Sequence, residues 1–282
     1  MGPTESPDDA EGLDGSLDLR SVTRALRSAG CVAAEEEADE LFRAARSERH
    51  LGSMLARRRS GEPLAWITGR AKFCGLDVLV DAGVYVPRWQ SERLATLAAS
   101  LLPLDGLGVD LCTGSGAVAM VMQTSRPDAR VFATELDPVA AHCARRNGVL
   151  VYEGVLTQPL PADLAARVDV MTGVLPYVPT HALRLLPPDV QRFEPRAALD
   201  GGEGGLALLS EAVRGSGQWL RTGGWLLLET GSDQVGAVST LFTAAGFDGV
   251  GVLVDDDSDP RGIYGQLNRL RADQSSGVGD SG

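Results

Sequence analysis

The sequence predicts an α/β protein. A mostly parallel, seven-stranded sheet with a reversed last strand and helices on both faces follows a small helical unit and a linking hairpin. Three observations carry this. From residue 108 onward short apolar runs alternate with helix-like runs, the pattern of a parallel sheet covered by helices. The run Val109-Asp-Leu-Cys-Thr-Gly-Ser-Gly116 ends an apolar stretch in a glycine-rich turn, and the next apolar run ends about twenty residues later in an acid, Glu135. Between the last two apolar runs lies only the polar turn 255–261, so these two strands are expected to pair antiparallel.

Composition sets the outer bounds. A chain of 282 residues has room for one large domain, or for a domain of common size with a small one beside it. A net charge of −12 argues against general nucleic-acid binding, because phosphates are repelled overall. Cys31, Cys74, Cys112 and Cys143 are far apart and form no C-x-x-C pair, and the three histidines are scattered. The expectation is free thiols in a cytoplasmic protein, with neither a disulfide framework nor a metal site. No apolar run is long enough to span a membrane, and the N-terminus lacks a signal-peptide pattern.

Taken in order, residues 1–16 carry too little apolar surface to fold and are expected to be disordered, as is the tail 272–282. Over 17–60 apolar residues recur at helical spacing, giving a helical N-terminal domain in which Glu35-Glu36-Glu37 reads as a solvated face. Residues 61–88 read as a hairpin linker, with β-rich pieces at 66–69 and 76–80 joined through 72–75. The main domain, 89–271, opens with a helix over 91–102. Strands follow at 108–112, 130–135, 149–152, 168–172, 224–229, 250–254 and 263–267. Helices are expected at 117–125, 138–147, 205–220 and 234–245.

The glycine-rich turn and Glu135 together form the layout of a nucleotide-type cofactor site. Gly114 and Gly116 let the chain turn sharply and admit a ligand close to the backbone. The Glu135 carboxylate can accept hydrogen bonds from two ribose hydroxyls. Asp110, inside the first strand, either touches that ligand or caps the neighbouring loop. A dinucleotide site wants three glycines. The shorter Cys112-Thr-Gly-Ser-Gly-Ala117 turn and the reversed last strand favour S-adenosyl-L-methionine (AdoMet) instead. The fourth strand ends in Gly173-Val-Leu-Pro-Tyr-Val-Pro179, beyond the carboxyl ends of the sheet where ligands bind. That loop is expected to face the methyl donor and line the acceptor pocket, with Pro176 and Pro179 stiffening it and Tyr177 supplying a wall and a hydroxyl. Arg88, Trp89 and Glu92 form a second candidate lip. Residues 193–196 and the glycine cluster 201–205 read as a pocket rim or as a helix-entry turn.

Several segments, in combination, resemble the protein-(glutamine-N5) methyltransferases, the family of release-factor and ribosomal-protein modifying enzymes. The carriers are Gly61-Glu-Pro-Leu-Ala-Trp-Ile-Thr-Gly69, Val86-Pro-Arg88 with Glu92, Asp110-Leu-Cys-Thr-Gly-Ser-Gly116, and 135–147. Pro176-Tyr177, Phe193-Glu-Pro-Arg-Ala-Ala-Leu199 and 223–234 also match. The resemblance spans about 17–267. It implies a class I, Rossmann-like methyltransferase with AdoMet held by Asp110, Thr113, Gly114, Gly116, Glu135, Leu136, Val155 and Val174. It places Val174, Pro176 and Tyr177 on the acceptor side. It gives the helical domain a role in recognising a protein substrate, a release factor or a ribosomal protein. A small-molecule acceptor, or a non-catalytic member acting by protein contact, are the alternatives. Three departures stand out. The family's Asn-Pro-Pro-Tyr signature, whose Asn holds the acceptor amide, reads Val174-Leu-Pro-Tyr177 here. The acid usual near the adenine is Val155. Cys112 stands where the family often has Gly.

Overall fold

The computed structural model describes residues 17–268; the expectations of disorder at 1–16 and 272–282 lie outside them. The chain divides into two compact units, with the boundary between Thr68 and Gly69.

The first unit is helical. Helix α1 (Leu19–Ser28) begins where the Asp18 carboxylate accepts the Ser21 backbone N–H at 2.7 Å, an N-cap that satisfies an orphan donor. Helices α2 (Ala34–Ala44) and α3 (Glu48–Arg59) follow, the latter capped by Ser47. Val22 and Leu26, Ala38 and Leu41, and Leu51 and Met54 meet in one buried cluster. One surface expectation needs correcting. Glu37 is no free solvated charge: both its oxygens are bonded by the Arg58 guanidinium, at 2.6 and 3.1 Å. A second correction concerns residues 66–68, read as strand. They belong to helix α4 (Leu64–Thr68), whose Ala65 and Ile67 are buried. The Trp-Ile-Thr run has β propensity, but Pro63 at the helix start and burial of Ile67 in the helical cluster decide the outcome.

The second unit opens with the hairpin β1 (Arg70–Phe73) and β2 (Leu76–Leu79), paired antiparallel from Arg70↔Leu79 to Phe73↔Leu76. Its two-residue turn, Cys74-Gly75, has positive φ at both positions, the geometry that matches strand twist. Helix α5 (Glu92–Leu101) leads into the alternating part: β3 (Leu107–Leu111), α6 (Ala117–Ser125), β4 (Arg130–Glu135), α7 (Pro138–Arg146), β5 (Leu150–Glu153) and β6 (Val168–Gly173). A long connection holds the short helix α8 (Pro188–Phe193), which sequence patterning missed. Helix α9 (Ala207–Trp219), β7 (Leu220–Glu229), α10 (Val235–Ala244), β8 (Phe247–Val254) and β9 (Pro260–Leu267) complete the unit.

The seven strands run in the order β5-β4-β3-β6-β7-β9-β8. All neighbours are parallel except β9, which runs antiparallel to both β7 and β8. The expected reversed last strand is therefore present, inserted between β7 and β8. Along β3 the pleat sends Val109 into a core with Leu209 and Val213 of α9 and Phe242 of α10. Gly108 faces the other way, where an added Cβ would meet Met122 of α6 and Leu102 after α5. Both faces are thus covered, and functional groups are left to the carboxyl ends of the strands.

Candidate active site

Two cavities lie beyond the carboxyl ends of the strands. The first has a volume of about 340 Å³. Its floor is the turn after β3 and its walls are largely apolar. Asp110, Thr113, Gly114, Glu135, Leu136, Val155 and Val174, all residues the sequence assigns to a cofactor, line it together. Glu135 ends β4 with its carboxylate fixed: Oε2 accepts the Gly114 N–H at 2.8 Å, and Oε1 accepts those of Leu136 and Asp137 at 2.8 and 3.0 Å. Burial still raises its pKa, against these three bonds. Gly114 has φ 58°, and a Cβ there would meet nothing within 4 Å, so the backbone stands open to a ligand. An oriented carboxylate, an open glycine and the apolar Leu136 and Val155 together fit a nucleoside-bearing cofactor.

Gly116 stands apart from the other residues of the turn. It does not line the cavity. It opens α6 at φ 86°, and a Cβ would fall 2.9 Å from Val149 Cγ2 and 3.2 Å from Ala144 Cβ. Its task is close packing of α6 against α7 and the start of β5, which sets the turn's position. Cys112, in the family's frequent glycine position, sits at φ 52°. A left-handed residue with a side chain costs roughly 1–2 kcal/mol. Desolvation pushes its half-buried thiol well above its ordinary pKa.

Asp110 combines the two roles open to it in the sequence. It lines the cavity, and it accepts hydrogen bonds from the Thr113 hydroxyl at 2.5 Å and the Thr172 hydroxyl at 2.7 Å. Thr172 comes from β6, so the acid ties the first turn to the neighbouring strand. Burial pushes Asp110 up to about 6, with the two hydroxyls pulling the other way.

The second cavity, about 570 Å³, adjoins the first; Tyr85, Val174 and Ala198 line both. Pro176 faces the first and Tyr177 the second. The loop after β6 is held rigidly. Gln234 donates from Nε2 to the Tyr177 carbonyl at 2.8 Å, and the Val178 N–H donates to the Leu199 carbonyl at 3.0 Å. At Gly205 a Cβ would lie 2.0 Å from the Tyr177 carbonyl oxygen, so the glycine cluster is where the long connection presses on this loop. The lip residues divide. Arg88 lines the second cavity and pairs with the buried Glu194. Glu92 instead accepts the Cys74 N–H at 2.8 Å, and Trp89 is exposed, under the Arg261 guanidinium 5.7 Å from its ring.

Sequence reasoning missed Phe73, Tyr85, Thr172, Glu229 and Arg261. The signal for Glu229 was available: like Glu135, it is an acid closing an apolar strand. Its Oε1 accepts the Tyr177 hydroxyl at 3.1 Å, burial raises its pKa, and its Oε2 is buried without a partner among the described residues. Burial pushes Tyr85 up to about 12. Among the described residues no cluster of three or more His, Cys, Asp or Glu could hold a metal ion, and no helix is long and apolar enough to cross a membrane.

Comparison with known proteins identifies the family. No family model matches the chain. A release factor glutamine methyltransferase of Burkholderia pseudomallei is 38% identical over 244 residues, covering 82% of this chain and 84% of that one. One of Geobacter sulfurreducens is 37% identical over 200 residues, 69% of each chain. One of Streptomyces coelicolor is 33% identical over 248 residues, 80% of this chain and 88% of that one. Among solved structures the hMettl16 catalytic domain, in complex with the MAT2A 3′UTR hairpin 6, shares the fold at 15% identity with a TM-score of 0.54, over 75% of this chain and 81% of that one. The chain belongs to the release factor glutamine methyltransferase family and is an AdoMet-dependent methyltransferase of the class I, Rossmann-like fold.

Proposed function

We propose that the protein methylates the side-chain amide nitrogen of a glutamine in a release factor. The observation that supports this best is the shared wall: the donor cavity and a second, larger cavity meet at Val174. A cofactor in one and an extended side chain in the other would face each other across the shared wall of Tyr85, Val174 and Ala198.

AdoMet, when bound, supplies an electrophilic methyl group on a sulfonium. Glu135 would accept its ribose hydroxyls, Gly114 would let it approach the turn, and Leu136 and Val155 would cover its adenine. Asp110, lining the same cavity, favours a cationic ligand by its charge. On the acceptor side Tyr177 and Pro176 shape the passage, and the braces from Gln234 and Gly205 keep it from widening. Alignment and exclusion of water matter more to such a displacement than a strong acid. Val174 lacks the donor and acceptor of the family's Asn, which removes one positioning hydrogen bond worth about 1 kcal/mol. The helical unit ending at Thr68 would contribute recognition of the protein substrate, and the free thiols fit action in the cytoplasm.

The test is transfer of labelled methyl from AdoMet to whole release factor, with the product glutamine located by mass spectrometry. One methyl group on a single glutamine is expected. Labelling only of a ribosomal protein or of a small molecule from an extract would replace the acceptor. Absence of AdoMet binding in calorimetry up to millimolar concentration would overturn the reading altogether.

A further inference from the structure

We propose that Glu229 is a catalytic residue of the acceptor site, taking one N–H of the acceptor amide on its free Oε2 and receiving the proton that methylation releases. The proposal rests on the glutamine-amide reading above and deepens it.

Four observations converge on this carboxylate. First, position: β6 and β7 are parallel with Gly173 opposite Leu228, so Val174 and Glu229 are the next residues on adjacent strands. The acid thus stands beside the position where the family carries its amide-holding Asn, and both residues line the second cavity. Second, proximity to the donor: the Ser91 hydroxyl lies beside Glu229 and favours its charged form, and Ser91 lines the first cavity. Glu229 therefore lies near the junction of the two. Third, an acceptor with capacity to spare: Tyr177 fixes Oε1, while Oε2 makes no hydrogen bond of good geometry among the described residues and has the Ser91 hydroxyl as its neighbouring donor to the carboxylate. A buried carboxylate oxygen left unpaired is costly unless a ligand completes it. Fourth, the same cavity holds a buried and unpartnered hydroxyl on Thr230. A primary amide has donors on nitrogen and an acceptor on its carbonyl oxygen, which matches a carboxylate beside a hydroxyl.

The chemistry needs such a group. The amide nitrogen's lone pair forms the N–CH₃ bond as the S–CH₃ bond breaks, whose electrons stay on sulfur and discharge the sulfonium to a thioether. The nitrogen then carries one proton too many, and that proton passes to Glu229 Oε2. An N–H already donated to a carboxylate also leaves more electron density on nitrogen as the new bond forms. Of the charged and titratable groups, Tyr85 from the segment before α5, Tyr177 from the loop after β6 and Arg261 of β9 act on Glu229, while Arg88 and Asp189 line the same cavity and Glu194 is held by Arg88. Arg88 and Glu194 largely neutralise each other. Arg261, whose charge favours the ionised form, is shared with Asp255. Burial raises the acid's pKa, which suits a proton acceptor.

Glu229→Gln keeps the volume and removes the charge. The expected result has three parts in a protein of unchanged thermal stability and AdoMet affinity. kcat falls about 100-fold, the usual size of a general-base contribution. The acidic limb of the kcat–pH profile disappears. The affinity of the cofactor-free protein for a release-factor peptide carrying the glutamine falls about five-fold in calorimetry. Glu229→Asp restores part of the rate and the acidic limb, which a structural role would not produce. A Glu229→Gln protein that keeps the wild-type kcat and pH profile, or binds the peptide as the wild type does, overturns the proposal while leaving the glutamine reading intact. Failure of the wild type itself to methylate the release factor overturns that reading and this proposal with it.

Discussion

The donor cavity and the acceptor cavity share three residues but are built in opposite ways. The donor side comes chiefly from two consecutive strand-to-helix turns, after β3 and after β4, and the carboxylates of its two acids are held by bonds inside the protein. Glu135 is bonded to three backbone amides and Asp110 to two hydroxyls. The acceptor side is assembled from the segment before α5, the loop after β6, the long connection and β9. Its polar atoms are left partly open: Glu229 Oε2, Glu194 Oε2 and Thr230 Oγ1 are buried without partners among the described residues. A site whose acids are already oriented suits a cofactor that is always the same. A site with open valences suits a macromolecular side chain that supplies the missing bonds.

The contrast breaks most visibly at Arg88. Its ion pair with Glu194 spans 106 residues and joins the two outer elements of the acceptor side. Arg88→Ala leaves the buried Glu194 charge without its partner, at a cost of roughly 3 kcal/mol, the low end for such pairs because Arg88 is one-third exposed. Thermal unfolding should show a fall of about 5–10 °C. A loss below about 2 °C would mean that the acceptor side is held by its backbone alone.

Glu135→Ala tests the donor side. The proposed ribose contact to a charged acceptor would be lost, and the Gly114 turn loses its tether. AdoMet affinity should fall about 100-fold in calorimetry. Binding of the glutamine peptide to the cofactor-free protein should not change. A drop in both would show that the cavities are not independent.

Asp110 gives the donor side a pH dependence of known sign. Burial holds its pKa at about 6, above the ordinary 3.8. The native protein therefore binds this proton more tightly than the unfolded chain does. The resulting stability is present below pH 4 and is lost as pH rises through 6. A cationic cofactor in the same cavity favours the ionised acid and opposes that loss. AdoMet affinity should thus rise with pH through 6, by at most about tenfold per unit, and the slope should vanish in Asp110→Asn. Isothermal titration at pH 5, 6 and 7 reads it directly.

The same contrast governs what could be read from sequence. The alternation of strands and helices, the reversed strand and the first turn are legible because each depends on neighbouring residues: an apolar run, a turn, an acid at its end. Gly116 was assigned to the ligand because the sequence shows only that a glycine is needed there. The reason, Ala144 of α7 and Val149 before β5 pressing on it, lies about thirty residues away along the chain. Residues 66–68 were read as strand from their propensity, and burial among α1–α3 made them helix. Arg88 and Glu194 stood in separate motifs with nothing in either to name the other. Glu229 carried the same strand-end signature as Glu135, but no glycine-rich turn stood near it to single it out.

Val174→Asn sharpens the comparison with the smallest expected effect. The family's Asn offers a donor and an acceptor at the junction of the cavities; Val174 offers neither, while its two methyl groups narrow the passage. Restoring the Asn adds one hydrogen bond to the acceptor amide, about 1 kcal/mol, so kcat/KM for the release factor should rise about five-fold. The gain should appear on the acceptor side alone, with AdoMet affinity unchanged, because the donor cavity keeps its other walls. It should also be partly redundant with Glu229, since both groups would hold the same nitrogen. In Glu229→Gln the added Asn should therefore raise the rate by more than it does in the wild type. Equal gains in both backgrounds would mean that the two side chains act on different atoms of the substrate, and that the amide lies farther from β7 than the cavity walls imply.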